Sequence, residues 1–194
     1  MSFLILLLAF FTSCGDTSEN RETPETVSVV TPTSSETENE DEDLDDEQQK
    51  IIVGKLTKED LQEGPYAGWF NRGYDNYQPS AEELEIIKQH IGDYEIVGFI
   101  GTWCPDSRRE LPEFFKLLDE AGYDLSKFTL IGVDRNKTTP ENLEEGYDMT
   151  RVPTFIFLKD GEEVNRYVEY SQETLAEDVA AIVSGKEYDN SYSN

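Results

Sequence analysis

The sequence is poor in basic residues and in cysteine, and each shortage argues against a class of function. Its 194 residues hold 42 Asp and Glu against 16 Lys and Arg, a formal net charge of −26. Nucleic-acid-binding proteins neutralise phosphates with Lys and Arg, so we expect no nucleic-acid partner. The single histidine and the two cysteines form no cluster of metal-ligand spacing. No glycine-rich phosphate-binding loop is present, so the sequence predicts neither a metal nor a cofactor.

Long hydrophobic runs are also lacking. The run Phe3–Phe11 has nine apolar residues, whereas a membrane-spanning helix needs about 20. Its length suits the apolar core of a secretory signal. The residues that follow, Phe11 to Gly15, resemble the lipobox of bacterial lipoproteins, in which the cysteine, here Cys14, carries the lipid. We expect 1–14 to be a signal peptide and Cys14 to anchor the protein to a membrane of the bacterial cell envelope, on its periplasmic or outer-membrane face. The alternative is an ordinary cleaved signal that leaves a soluble secreted or periplasmic protein.

Composition divides the remaining chain. Residues 15–50 hold thirteen Asp and Glu against one Arg and one Lys, with no aromatic residue. Such a segment cannot bury enough apolar surface to offset its chain entropy, so we expect a disordered acidic tether. The remainder holds both tryptophans and is long enough to bury a core. We divide it into an aromatic lead-in over 51–79, a globular domain over 80–187 and a disordered tail over 188–194.

Hydrophobic periodicity after residue 80 alternates between helical and strand patterns. This order predicts an α/β fold, a central mixed sheet flanked by helices that ends in a hairpin and a helix. Asp160-Gly161 is a hairpin-turn signal. Ser80 and Glu83 form a capping-box pattern, and Ser171 is placed to cap the last helix. The predicted helices cover 57–63, 81–91, 106–121, part of 138–148 and 172–184, and the predicted strands cover 94–100, 128–133, 154–158 and 163–167.

The candidate site lies where the first strand pattern runs into a helical one. Trp103-Cys104-Pro105-Asp106-Ser107 stands at this junction, and Pro112 follows the cysteine by eight residues. Val152-Pro153 precedes a later strand, and Lys159-Asp160-Gly161 ends it. In this order the motifs resemble the Trp-Cys-x-x-Cys site, the helix-kinking proline, the cis-proline segment and the hairpin turn of the thioredoxin family. The resemblance covers about 80–186 and implies the thioredoxin-like fold.

The resemblance gives several of these residues an expected role. Cys104 is the nucleophile, since a helix N-terminus offers free amide hydrogens and the positive end of the helix dipole, both of which favour the thiolate. Trp103 and Pro105 are expected to contact the substrate beside the sulfur. Val152 and Pro153 are expected to pair with an extended substrate, with Val152 supplying the hydrogen bonds because proline has no amide hydrogen.

The sequence also departs from the family at its reactive centre. Ser107 stands where the family has its second, resolving cysteine, so an internal disulfide cannot form there. The Ser107 hydroxyl can still donate a hydrogen bond to the thiolate of Cys104. Arg108 and Arg109 lie in the first helical turn and are possible stabilisers of the thiolate or of an acidic substrate group.

Two further departures concern proton transfer. Gly98 and Leu130 stand where the family has a buried aspartate and its lysine partner, so the family's internal proton relay is expected to be absent. We therefore expect monothiol exchange: Cys104 forms mixed disulfides with cysteine-containing envelope proteins or small thiols, and an external thiol releases them. Two alternatives stay open, a redox-inactive module that binds peptides or traps clients and a structural lipoprotein with an inert cysteine. Spacing alone also leaves open a Cys–His protease site with His90.

Overall fold

The computed structural model describes residues 50–193. The predicted signal peptide, the lipid site at Cys14 and almost all of the predicted tether lie outside these residues. The described chain folds around one five-stranded sheet. Its strands are β1 (Gly54–Leu56), β2 (Glu95–Ile100), β3 (Phe128–Gly132), β4 (Thr154–Lys159) and β5 (Glu162–Val168), and its helices are α1 (Lys58–Gln62), α2 (Ala67–Asn76), α3 (Ala81–His90), α4 (Pro105–Ala121) and α5 (Leu175–Ser184).

The sheet is mixed, with the strand order β1-β3-β2-β4-β5. The strands β2 and β3 are parallel, and the other neighbouring pairs are antiparallel. Strand β2 lies in the middle of the sheet and is buried along all but its first residue, which explains its continuous apolar run. This architecture confirms the predicted α/β fold class.

The hairpin between β4 and β5 follows the predicted turn. Lys159 pairs with Glu162, so the turn has two residues, Asp160 and Gly161. Their φ angles are 54° and 80°, the left-handed region that two-residue hairpin turns of type I′ require. Asp and Gly tolerate this region, and the prediction of a turn at Asp160-Gly161 is confirmed.

The two faces of the sheet are covered differently. The larger core forms against the helices, where the Phe114 ring of α4 stacks on Phe155 of β4 with centroids 4.0 Å apart. The opposite face carries a smaller cluster that includes Phe99 and Cys104. Leu143, Tyr147 and Met149, all from the connection between β3 and β4, pack against this smaller cluster. The candidate cysteine therefore belongs to the face that a loop covers.

The helix predicted within 138–148 is wrong. Asn142 has a left-handed φ of 52°, which a right-handed helix cannot contain. The side chain of Thr139 accepts a hydrogen bond from Leu143 N at 2.8 Å, and the carboxylate of Glu144 accepts from both Thr139 N and Thr139 Oγ1. These side-chain bonds satisfy the backbone in consecutive turns, so the polar residues compete with helix formation.

The predicted capping bond of Ser80 and the predicted start of the last helix are also corrected, whereas α3 begins at Ala81 as predicted. Ser80 does stand at the N-cap of α3, but its side chain makes no capping bond. The last helix starts at Leu175 rather than 172, and its cap is Thr174, whose side chain accepts from Glu177 N, instead of Ser171. The capping box that does form is at α1, between Thr57 and Asp60.

The aromatic lead-in contributes a strand and two helices to the same core. Strand β1 pairs antiparallel with β3, and the ten-residue helix α2 packs against α4. The glycines at 68 and 73 argue against a helix of this length on propensity alone. At Gly73, however, a Cβ would lie 2.6 Å from Pro112 Cγ. Because Gly73 has no side chain, α2 can approach α4 closely at Pro112, the proline inside α4.

The C-terminal residues, expected to be disordered over 188–194, make specific contacts as far as Tyr192. The Tyr188 hydroxyl donates to Asp178 at 3.0 Å, and its ring packs against the core. The Tyr192 hydroxyl donates to Glu169, and its ring lies 3.8 Å from the guanidinium of Arg151. The C-terminal residues therefore pack against Arg151, which precedes Val152 in the sequence.

Candidate active site

Cys104 occupies the N-cap of α4, four residues after the end of the buried strand β2. Its amide donates to Gly101 O at 2.9 Å, and its carbonyl accepts the first helical bond from Arg108 N at 3.0 Å. Pro105, exposed at the first helical position, has no amide hydrogen to leave unpaired there. The local sequence thus forces a sharp turn from strand to helix and holds the sulfur at the positive end of the helix dipole.

The sulfur faces the segment that precedes β4. The Cys104 thiol donates to Val152 O at 3.3 Å, and only 6% of the residue is exposed. The Val152–Pro153 peptide bond is cis. Within residues 50–193 the amide hydrogen of Val152 has no acceptor, although the neighbouring Pro153 O accepts from Glu169 N at 2.7 Å. Val152 therefore contacts the sulfur through its oxygen and keeps a free donor.

The indole of Trp103 is fixed beside the cysteine. Its Nε1 donates to Val133 O at 3.0 Å, and the guanidinium of Arg135 lies 5.4 Å from the ring. A Cβ at Gly101 would lie 2.6 Å from Trp103 Cε2, so only glycine lets the ring rest against the backbone there. Trp103 therefore has a defined position and is only partly buried.

Ser107 has a structural partner that the sequence pattern does not reveal. It is 1% exposed, and its Oγ accepts a hydrogen bond from Gly101 N at 3.1 Å. In the described part of the chain, no hydrogen bond joins Ser107 to Cys104. The hydroxyl ties the turn before the cysteine to the first turn of α4, and donation to the thiolate stays a prediction.

The two arginines of α4 have partners other than the sulfur. Arg108 Nε donates to Thr102 O at 2.6 Å. Arg109 donates to Asp106 at 2.7 Å and to Glu110 at 2.8 Å. The positive charge of Arg109 is therefore balanced by two carboxylates of its own helix, and its role as a thiolate stabiliser stays a prediction.

The place of the family's proton relay is filled with apolar groups. Gly98 of β2 and Leu130 of β3 are direct partners in the parallel ladder. A Cβ at Gly98 would meet the Phe128 ring at 2.8 Å and Leu130 Cδ1 at 3.1 Å. Because these side chains occupy the space, no carboxylate could be accommodated at position 98 without moving the core.

A cleft of about 440 Å³ opens beside the cysteine, and its cations were missed by the sequence prediction. Trp103, Cys104, Val152, Thr150, Lys137, Arg151 and Glu169 line it. Lys137 and Arg151 lie 33 and 47 residues after the cysteine in irregular segments, so no periodic pattern connects them to it. The fold, and no local sequence pattern, places Lys137 and Arg151 in the same cleft as Cys104.

Glu110 and Glu113 of α4 form, with Tyr167, a second group of interacting side chains, which no sequence pattern predicted. Glu110 is 4% exposed and accepts from the Tyr167 hydroxyl at 2.6 Å. Burial, reinforced by the charge of Glu110, raises the pKa of Tyr167. Burial and the charge of Glu110 also raise the pKa of Glu113 to about 7, against the opposing effect of Arg109.

The remaining sequence candidates are separated by the fold. His90 ends α3 just before β2, whereas Cys104 follows the far end of that strand. The six residues of β2 span about 17–20 Å, so no Cys–His pair forms. Within residues 50–193, no group of three or more His, Cys, Asp or Glu is placed to hold a metal ion. None of the described helices combines the length and the apolar character needed to cross a membrane.

Comparison with known sequences gives one consistent result. The sequence model of the thioredoxin family matches residues 57–181. Thioredoxin H5 of Oryza sativa subsp. japonica is 31% identical over 107 residues, which cover 55% of this chain and 74% of the rice protein. A thioredoxin H-type protein of Picea mariana is 31% identical over 88 residues, which cover 45% of this chain and 66% of that protein. The match to the family includes α1 and α2 as well as the site.

Comparison with solved structures supports the fold. A Pseudomonas aeruginosa protein of unknown function superposes with a TM-score of 0.51 at 17% identity, over 69% of this chain and 93% of the other. An HIV epitope scaffold gives a TM-score of 0.52 at 17% identity, over 70% of this chain and 95% of the other. At this identity the likeness concerns the fold alone.

Proposed function

The chain belongs to the thioredoxin family, and from this premise we propose that it exchanges thiols and disulfides through Cys104 alone. The observation that carries the proposal is the position of the sulfur, at the N-terminus of α4, against Val152 and beside an open cleft. Ser107 replaces the second sulfur, and Cys104 is the only thiol among residues 50–193. The mechanism must therefore use a thiol from outside the described domain to complete each cycle.

The exchange takes place in two balanced steps. First, the Cys104 thiolate attacks one sulfur of a substrate disulfide, forming a mixed disulfide while the other substrate sulfur leaves as a thiolate and takes up a proton. Second, an external thiol, ionised to its thiolate, attacks the mixed disulfide and restores the Cys104 thiolate. The substrate sulfur ends in a disulfide with the external thiol. One disulfide is consumed and one is formed, so no further oxidant or reductant is required.

The residues around Cys104 affect the first step in opposite directions. The hydrogen bond from the thiol to Val152 O exists only while the sulfur is protonated, so ionisation must break it, whereas the helix N-terminus favours the thiolate. The free amide of Val152 can pair with an extended substrate next to the sulfur. Trp103, fixed by Val133 and Gly101, shields one side of the site.

The proposal is tested on the chain carrying Cys14→Ser, in which Cys104 is the only thiol. Incubation with 2-hydroxyethyl disulfide should add one mercaptoethanol adduct, detected by intact-mass spectrometry, and excess mercaptoethanol should remove it. Folding should accelerate the reaction relative to the same chain in urea, because only the folded chain places the sulfur at a helix N-terminus. Reaction in the folded chain that is slower than in urea would refute the proposal, because Cys104 would then be protected rather than activated.

A second candidate is a redox-inactive module that binds peptides in the cleft beside Cys104. Its support is the low exposure of Cys104 together with the apolar filling at Gly98. Peptide binding measured by calorimetry separates the two proposals. A binding module keeps its affinity for a cysteine-free extended peptide in the Cys104→Ser variant and shows no accelerated disulfide exchange in the parent.

We further propose that the domain works in the bacterial cell envelope, tethered by a lipid on Cys14, on cysteine-containing envelope proteins or small thiols. The support is the sequence from Phe11 to Gly15 and the acidic composition of 15–50. Metabolic labelling with an alkyne fatty acid, followed by membrane fractionation, tests the anchor. The parent chain should be labelled and sediment with membranes. A Cys14→Ser variant that is labelled equally would contradict the assignment.

A further inference from the structure

Two cations line the cleft beside Cys104, in a chain whose overall charge is strongly negative. We propose that this cleft selects disulfides flanked by carboxylate groups, as in an acidic peptide segment, and that Lys137 is the residue that recognises the carboxylate. The proposal rests on thiol–disulfide exchange at Cys104 and adds the substrate class. It is carried by the position and the partners of the charged residues around the sulfur.

Lys137 is the first of these residues. It is only partly exposed and has a left-handed φ of 64°, and its amide donates to Asp134 O at 2.9 Å. Asp134 is the nearest carboxylate along the chain, but its Oδ1 accepts from Asn136 N and Thr138 N, both at 2.9 Å. Those bonds lower the pKa of Asp134 and engage it within the turn. Within residues 50–193 no carboxylate pairs with the Lys137 ammonium.

Arg151 is the second cation, and it is already neutralised. Its guanidinium forms a 3.0 Å ion pair with Glu169 and stacks on the Tyr192 ring. Glu169 also accepts from the Tyr192 hydroxyl. The Arg151–Glu169 ion pair therefore adds little net charge to the cleft. The unpaired ammonium of Lys137 makes the net charge of the cleft lining positive. Arg135, over Trp103, adds a further positive charge beside the site.

The net charge of −26 does not prevent this selection. Charges separated by more than about 10 Å are largely screened at 0.1 M ionic strength, whereas charges that share a cleft with the reacting sulfur are not. The carboxylate of an incoming substrate is therefore attracted by the lysine in the cleft more than it is repelled by distant acidic residues. A nucleic acid is a poor alternative, because two or three cations neutralise few phosphates.

The first test uses two alkylating reagents of the same size and different charge on the chain carrying Cys14→Ser. Iodoacetate and iodoacetamide both form a carbon–sulfur bond at Cys104 and release iodide, and only iodoacetate carries a carboxylate. The ratio of their rate constants, referenced to the urea-unfolded chain, measures anion preference independently of the reactivity of the sulfur. Lys137→Gln should lower this ratio about two- to fivefold at 0.1 M ionic strength, the effect of removing one unit charge close to the sulfur while distant charges are screened. Glu169→Gln should raise it, because it frees Arg151.

The matched control is Lys88→Gln. Lys88 is exposed on α3, which ends just before β2, at the end of that strand opposite to Cys104. The substitution changes the net charge by the same amount, so the ratio should stay at the parent value. An equal effect of Lys88→Gln and Lys137→Gln would overturn the proposal in favour of overall charge. Failure of both reagents to react in the folded chain would instead overturn the exchange function and this inference with it.

The second test distinguishes an acidic peptide from a small carboxylate. Two peptides differ only in whether Asp or Lys flanks a cysteine that is capped as its 2-pyridyl disulfide. Attack by Cys104 forms the mixed disulfide and releases thiopyridone, which absorbs light. The Asp peptide should react several times faster, and Lys137→Gln should remove most of the difference. Equal rates for both peptides would refute selection of acidic segments, even if the iodoacetate preference is present.

Discussion

The pair of glycines in α2 gives the sharpest test of how the lead-in packs on the domain. We predict that Gly68→Ala and Gly73→Ala change stability in opposite directions. Both positions are helical and neither has a positive φ. Alanine at either position gains about 0.5–1 kcal/mol of helix propensity. At Gly68 a Cβ meets nothing within 4 Å, so this gain should appear as added stability.

At Gly73 the new methyl group meets a rigid ring. It would lie 2.6 Å from Pro112 Cγ and 3.1 Å from Pro112 Cβ. Carbon atoms in contact are ordinarily about 3.5–4.0 Å apart, so α2 must move from α4 by about 1 Å. The movement disturbs the packing of Phe70 on Phe115, whose centroids are 5.7 Å apart, and the 2.6 Å bond from the Tyr74 hydroxyl to Asp119. Overpacking of this kind costs about 1–3 kcal/mol, and the two lost contacts place the cost in the upper half of that range. After the propensity gain, we expect a net loss of about 1–2 kcal/mol.

Urea unfolding followed by tryptophan fluorescence and circular dichroism measures both variants. The free energy of unfolding should differ by about 2–3 kcal/mol between Gly68→Ala and Gly73→Ala, with unchanged m-values. Pro112→Ala removes the Cγ atom, so the cost of Gly73→Ala should be smaller in that background. A Gly73→Ala variant as stable as Gly68→Ala would refute the close approach of α2 to α4.

Three further predictions concern the site and its surroundings. Gly101→Ala should displace the Trp103 indole, shift the tryptophan emission and lower the unfolding free energy by about 1–3 kcal/mol. Gly92→Ala, whose Cβ meets nothing within 4 Å, should leave the emission unchanged. Identical spectra for the two variants would contradict the contact between the indole and Gly101. Ser107→Cys should let a mixed disulfide at Cys104 resolve without external thiol, leaving a protein 2 Da lighter than its reduced form in mass spectrometry, and persistence of the adduct would show that the second position cannot reach the sulfur. The pKa of Glu113, raised to about 7, means that the folded chain binds the proton more tightly than the unfolded chain, so stability from this residue falls as the pH rises from about 5 to 7. Glu113→Gln should remove about 1–2 kcal/mol of that decline, allowing for solvent screening of a half-buried group, and an unchanged pH profile of the unfolding free energy would contradict it.

The sequence alone predicts the helices and strands whose hydrophobic periodicity is set by burial in the core. Strand β2 and helix α4 follow directly from an apolar run and an apolar helical face, and the Asp160-Gly161 turn follows from its backbone requirement. The motif around Cys104 was also readable, because a tight turn into a helix N-terminus depends on neighbouring residues. These features are local, and local patterns predict them.

The features that the sequence did not predict depend on contacts between distant residues or on side-chain hydrogen bonds that compete with helix formation. Helix α2 is absent from the predicted helices because Gly68 and Gly73 have low helix propensity, and the compensating contact of Gly73 is with Pro112, 39 residues later. The helix expected near 138–148 was lost to side-chain bonds from Thr139 and Glu144 that a helical pattern does not reveal. The cluster of Lys137 with Arg151 is likewise produced by the fold, since neither residue belongs to a periodic segment.

The residues around Cys104 fit the proposed exchange through a single sulfur. The parts that serve capture of a disulfide are present: the sulfur at a helix N-terminus, the cis Val152–Pro153 segment with a free amide and a fixed Trp103. The parts that serve internal resolution and proton transfer are replaced together, at Ser107, Gly98 and Leu130.

Each replacement is also accommodated by the structure. The Ser107 hydroxyl accepts from Gly101 N, and Phe128 fills the space above Gly98. Neither replacement leaves a cavity or an unpaired buried group, each of which would cost about 1 kcal/mol or more. The packing at Ser107 and Gly98 is therefore compatible with the proposed exchange through Cys104 alone, because neither replacement disturbs the turn that holds the sulfur. If that proposal holds, each cycle depends on an external thiol, since Ser107 cannot form a disulfide with Cys104.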